Sequence, residues 1–221
     1  MYDYELRNNH YIVKIDGKNF LIDIGWPASF GMEPSLREVN IDGVTYPLQR
    51  KMDIVNRAKI EKMVGTTIDG FIGEDIIQRT SLTIDKRNKK VSFSRSDEKG
   101  ATIDYELLYG YVMVVELDEP KGRCIVDTGA MVGYGTHDLF VGKHYKEFVD
   151  DYNPRLGDMH SPLFDLDIVI GGVTKRVEIC HNVDVEFDDL NASGSKIVVG
   201  IHELFNEVFV IDAQRRQIIF R

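Results

Sequence analysis

Cysteine and long apolar runs are both scarce in this 221-residue chain. Its two cysteines, Cys124 and Cys180, rule out by count a disulfide framework or a cysteine-rich zinc site. Both fall in apolar, strand-like stretches, where buried free thiols are common, and such sparing use fits a reducing compartment. No apolar run approaches the roughly 20 residues needed to span a bilayer. The opening Met1-Tyr2-Asp3-Tyr4-Glu5 has neither a basic region nor an apolar core, so no signal peptide is expected and the expected location is cytoplasmic. An excess of basic charge is also missing. The formal net charge is -9, and residues 111–221 carry most of it, with 19 acidic against 11 basic side chains. That balance argues against nucleic acid and anionic membrane as partners. It describes a solvated acidic surface.

What is present points to strands. Tyr11-Ile-Val-Lys-Ile15, Ser81-Leu-Thr-Ile-Asp85, Val91-Ser-Phe93 and Tyr111-Val-Met-Val-Val115 are short, β-branched and broken by Gly, Asn or Asp. This is the pattern of an all-β chain with short helices only, not of βαβ units. Asp16-Gly17 and Asp42-Gly43 are hairpin turns, because glycine accepts the positive φ that tight turns demand.

The chain also repeats itself. Phe20-Leu21-Ile22-Asp23-Ile24-Gly25 is echoed by Arg123-Cys124-Ile125-Val126-Asp127-Thr128-Gly129-Ala130, and each is an apolar run that delivers an aspartate into a glycine turn. Adding 127 to Ile72, Gly73, Ile77, Ile84, Asp85, Val91 and Phe93 gives Val199, Gly200, Leu204, Ile211, Asp212, Ile218 and Phe220. Ile41-Asp42-Gly43-Val44-Thr45 matches Ile170-Gly171-Gly172-Val173-Thr174 at an offset of 129, whereas the two aspartates lie 104 apart. An insertion of about 25 residues therefore falls between Asp127 and Gly171. Within it Tyr145, Phe148, Val149 and Tyr152 have helical spacing, which predicts a surface helix near 140–162. The polar stretch Ser94–Gly100 reads as the connection between halves. The expected division is residues 1–98 and 99–221, one motif in each.

Two carboxylates about 3 Å apart cannot both ionise, so they share a proton. The charged member can deprotonate a water while the protonated one donates to a substrate carbonyl oxygen. That is amide hydrolysis with no metal and no cofactor. Glycine in each turn lets backbone approach closely.

Ile125-Val126-Asp127-Thr128-Gly129-Ala130 resembles the Asp-Thr/Ser-Gly-Ala/Ser motif of the pepsin/retropepsin superfamily of aspartic proteases. Val198-Val199-Gly200, with Phe209-Val210-Ile211-Asp212 and Arg216-Gln217-Ile218-Ile219-Phe220, is similar to that family's aliphatic-Gly and closing-strand pattern. Phe71-Ile72-Gly73 and Ser81-Leu82-Thr83-Ile84-Asp85 repeat it in the first half. The resemblance spans nearly the whole chain. It implies two pseudo-symmetric β-barrel-like lobes with a cleft between them, an extended peptide or protein substrate, and Asp23 and Asp127 as the catalytic pair. Gly25, Trp26, Thr128, Gly129 and Ala130 would shape the loops and bind substrate. The hairpin about Asp42-Gly43, with Tyr46 beside it, matches the cleft-covering flap by position. Two half-sites in one chain make a monomer sufficient.

The first motif departs from the pattern, as Asp23-Ile24-Gly25-Trp26-Pro27. In the family the hydroxyl after each aspartate bonds to the opposite loop. Thr128 can do so and Ile24 cannot. A catalytically impaired peptide-binding module is therefore the alternative, and a plain β scaffold with its aspartates far apart is a third. Other motifs fade. His202-Glu203-Leu204-Phe205-Asn206 lacks the second zinc ligand, and His137, Asp138 and His144 have no ligand spacing. Gly133-Tyr134-Gly135 lacks a third glycine, and Asn191-Ala192-Ser193 matters only in a secreted eukaryotic protein.

Overall fold

The computed structural model describes residues 1–181 and 188–221, and strands dominate it. Two of the segments the sequence pairs at an offset of 127 meet at the middle of a sheet. Leu82–Asp85 runs antiparallel to Val208–Asp212, pairing Ile84 with Phe209 and Leu82 with Ile211. Outward from that seam, Lys90–Ser92 and then Tyr2–Arg7 extend the sheet on one side. Gln217–Phe220 and then Ala101–Leu108 extend it on the other. The six strands form one antiparallel sheet with matched halves. Ile84, Val91, Phe209, Ile211, Ile218 and Phe220 point into a shared core and are almost fully buried. Each such side chain contributes about 1.5–3 kcal/mol relative to exposure.

Each half then builds the same second layer. In the first, His10–Ile15 pairs antiparallel with Lys18–Ile22 through the Asp16-Gly17 turn, whose two residues both have positive φ. Lys18–Ile22 lies parallel to Gly70–Ile72, which Phe30–Gly31 joins antiparallel. In the second, Val112–Leu117 pairs with Gly122–Asp127, which lies parallel to Ser195–Gly200, and Gly133–Gly135 joins that strand antiparallel. Parallel strands are covered on both faces. That explains why Phe20-Leu21-Ile22 and Cys124-Ile125-Val126 are unbroken apolar runs and are buried throughout. Ser94–Gly100, between the halves, has no regular secondary structure.

The insertion is not the helix that its spacing predicts. Glu147–Asn153 is a strand, paired antiparallel with the first half of the long strand Gly157–Ile170. The apolar positions 145, 148, 149 and 152 fit a helix locally, but Asn153-Pro154-Arg155-Leu156-Gly157 is a turn, and cross-strand partners decide the outcome. Phe148 stacks on His160 with ring centroids 4.9 Å apart, and Asp150 Oδ1 bonds His160 Nδ1 at 2.6 Å.

The first half carries a helix at a place the repeat does not mark, Arg57–Val64. Asn56 caps it by accepting the Lys59 N–H, and Gly65 closes it in the left-handed conformation at φ 79°. Its buried face, Ile60 and Val64, packs with Trp26, Phe30, Met32 and Phe71 in a second core.

Candidate active site

Asp23 follows the last residue of Lys18–Ile22, and its own N–H donates to the Ile72 carbonyl at 2.9 Å. Asp127 ends Gly122–Asp127 and is paired in register with Gly200. The two parallel strand pairs thus deliver the aspartates to one place. The loops interlock: a Cβ built on Gly129 would lie 2.5 Å from Asp23 Cγ, and one built on Gly25 would lie 2.6 Å from Asp127 Oδ2. No other residue type leaves room for the opposing carboxylate. The scaffold with distant aspartates is thereby set aside.

Thr128 is the tie between the loops. Its buried hydroxyl accepts the Ile24 N–H at 2.8 Å and donates to the Ile22 carbonyl at 3.0 Å. Ile24 is fully buried in the main core and has no hydroxyl with which to make the reciprocal tie. Within the second loop, the Gly129 N–H donates to Asp127 Oδ1 at 2.8 Å. Burial raises the Asp23 pKa well above the usual carboxylate value and the Asp127 charge adds to this, while the Gly25 and Trp26 N–H groups pull it the other way.

The aspartates open onto a cleft of about 350 Å³. Its lining draws matched positions from the two halves, Leu21 and Ile125, Gly25 and Gly129, Trp26 and Ala130, Phe71 and Val198. Trp26 stands where the second loop has Ala130, and the second core explains the difference. Its ring lies 5.8 Å from that of Phe30, which stacks on Phe71 at 4.5 Å. The helix Arg57–Val64 covers this wall and lends Ile60 and Met63 to the cleft.

The cover is asymmetric. The Asp42-Gly43 hairpin does not line the cleft: Val39 and Ile41 turn into the main core, and the turn is pinned where the Asp42 N–H donates to the Tyr2 hydroxyl at 2.8 Å. Tyr46 packs against that core and is not among the cleft residues. In its place the inserted hairpin Glu147–Ile170 of the second half overhangs the aspartates with Asp151, Tyr152, Arg155 and Met159. Lys59 of the helix donates to Asp158 Oδ2 at 2.6 Å and sits 5.1 Å from the centre of the Tyr152 ring, bridging the two walls. Tyr134 donates to Asp151 Oδ2 at 2.8 Å. Sequence reasoning placed none of these residues in the site. The caps Asn56 and Gly65 and the turn Asn153–Gly157 were the signals that could have found them.

No protein-family model matches the sequence, and no curated protein does.

The remaining sequence candidates lie elsewhere. Among the described residues no cluster of His, Cys, Asp or Glu could hold a metal ion. The His137 and His181 rings lie 5.1 Å apart, and the His202 ring packs beneath Gly200. Gly133 admits close strand packing, since a Cβ there would meet Ile179 and Val198. Asn191 lies in the helix Asp188–Ser193, with its side chain outside the described residues. Also among the described residues, no helix is long and apolar enough to cross a membrane.

Proposed function

We propose that the protein is an aspartic-type endopeptidase with two lobes of the pepsin/retropepsin kind. The observation that carries this is the reciprocal seating of Asp23 on Gly129 and Asp127 on Gly25 at the floor of one cleft. Asp127, oriented by the Gly129 N–H, acts as the carboxylate that takes a proton from a water held between the pair. Asp23, kept protonated by burial and by its neighbour's charge, donates to the oxygen of the scissile carbonyl. Proton transfer to the leaving nitrogen completes cleavage, and no covalent intermediate is needed. The apolar floor and the overhanging hairpin favour an extended peptide that lies between the two halves.

The test is digestion of a broad peptide library from pH 3 to 8 by the wild type and by Asp23→Asn and Asp127→Asn. Cleavage by the wild type that both substitutions abolish supports the reading. Cleavage that survives either substitution sinks it.

Ile24 favours one second reading, a peptide-binding module that holds but does not cut. With the reciprocal hydroxyl tie missing, carboxylate placement loses one of its two constraints, and catalysis requires placement to about 0.5 Å. That reading expects binding in the same cleft and no products at any pH.

A further inference from the structure

The turn Asn8-Asn9-His10 belongs to the first half and docks on the second. It is a tight hairpin turn, with Asn8 and Asn9 at φ 43° and 65° and Arg7 paired to His10. Asn8 Nδ2 donates to the Met63 carbonyl in its own half at 2.5 Å. Asn9 Nδ2 reaches across and donates to the Met131 carbonyl at 2.9 Å, two residues beyond Gly129. His10 is fully buried beside it.

The protonation of His10 follows from its partners. Nδ1 lies 2.6 Å from the Asn8 carbonyl oxygen, which can only accept, so Nδ1 carries the hydrogen. Nε2 is then a bare acceptor, and it is buried without a hydrogen-bond partner. Such a group inside a protein calls for an explanation. The ring is surrounded by groups that favour its charged form: the carbonyls of Asn8, Arg7 and Gly129, and the Asp151 charge from the covering hairpin. Burial outweighs them and lowers its pKa. His202, on the helix Ile201–Leu204, faces it and is itself held neutral down to about pH 4 by burial, by Lys86 and by His10.

We propose that Asn9 and His10 are positioning residues that clamp the second aspartate loop from the first half, at Met131 and Gly129, in place of the tie that Ile24 cannot make. The proposal rests on the hydrolytic reading above. The Asn9 arm is permanent. The His10 arm closes when the ring gains a proton, because Nε2 then becomes a donor that the Gly129 carbonyl can accept. Gly129 passes the constraint on to both carboxylates. Its N–H holds Asp127 Oδ1, and its Cα lies against the Asp23 carboxyl.

The experiment compares pH profiles of peptide cleavage for the wild type, His10→Phe, Asn9→Ala, Ile24→Thr and the double variant Ile24→Thr/His10→Phe. His10→Phe should lower kcat about tenfold at acid pH with KM changed less than about threefold, and it should erase one inflection of the profile. Asn9→Ala should lower kcat about threefold at every pH. With the hydroxyl restored by Ile24→Thr, adding His10→Phe should cost less than about threefold, since the two clamps then overlap. Equal losses in both backgrounds, or a profile that His10→Phe leaves unchanged, overturn the proposal. His10→Gln replaces His10→Phe if the latter does not fold. If the wild type cuts no peptide from pH 3 to 8, the hydrolytic reading has failed and the clamp is judged by NMR. The Gly129 amide must then titrate with the same midpoint as the His10 ring, and the titration must vanish in His10→Gln. Its persistence there overturns the clamp.

Discussion

Thr128 holds Ile24 and is not held in return: one hydroxyl accepts the Ile24 N–H at 2.8 Å and donates to the Ile22 carbonyl at 3.0 Å. Both bonds are buried, so Thr128→Val leaves an amide and a carbonyl without partners while preserving shape. An unsatisfied buried group costs about 1–3 kcal/mol. Urea unfolding of Thr128→Val should therefore give a midpoint lowered by that free energy with an unchanged slope. A loss below about 0.5 kcal/mol would mean that the tie does not bear on stability.

The glycine contacts invite a sharper substitution. Neither Gly25 nor Gly129 has positive φ, so alanine meets no backbone strain at either place. What it meets is the opposite carboxylate, at 2.6 Å or closer. Gly129→Ala should fold, as read by far-ultraviolet circular dichroism, and lose about 100-fold or more in kcat with little change in KM. Retained kcat would show that the carboxylates can part without consequence, which is incompatible with a working pair.

The central seam and the meeting of the aspartates were legible because duplication leaves a signal that local propensity cannot mimic. Ile84 and Ile211 recur at one offset, and the structure sets their strands side by side. The cover was misread because Phe148, Val149 and Tyr152 fit a helix over a short window. Their strand exists only through a partner beginning at Gly157. Tyr46 was misplaced for a related reason. Position along the chain suggested a flap, but Val39 and Ile41 bind that hairpin to the core. Trp26 departs from the family's small residue, and the helix it packs against, Arg57–Val64, lies outside the repeat.

Buried Glu74 makes stability depend on pH. Burial is the main cause that pushes its pKa up to about 8, with the Asp75 charge adding and the bond from Gln78 opposing. A carboxyl whose folded pKa exceeds its unfolded value binds more protons when folded, so stability falls as pH rises between the two. Below about 6.5 the lowered imidazoles of His10 and His202 act with the opposite sign, and Glu203, raised to about 7, overlaps the lower end. Asp23, also raised by burial, acts with the same sign as Glu74, so between pH 6.5 and 8 the comparison with the variant isolates Glu74. There Glu74 should cost about 2 kcal/mol as it is forced to ionise. Glu74→Gln should flatten the decline in melting temperature over that range and raise stability at pH 8. A slope as steep in the variant as in the wild type would place the ionisation elsewhere.

Trp26 supplies a measurement that separates cutting from holding. It is the chain's single tryptophan, it lines the cleft, and it is 8% exposed, so its emission reports on what occupies that wall. Filling the cleft displaces water from the indole and shifts the emission of the wild type and of Asp127→Asn alike, because the substitution leaves Trp26 and its wall unchanged. The two proteins should then diverge. In an endopeptidase the wild-type signal decays as products leave, while the Asp127→Asn signal stays constant for as long as peptide is present. In a binding module both signals persist, and titration of either gives the same Kd. A decay that appears equally in both proteins would count against each reading, since peptide would be leaving the cleft without help from the paired carboxylates.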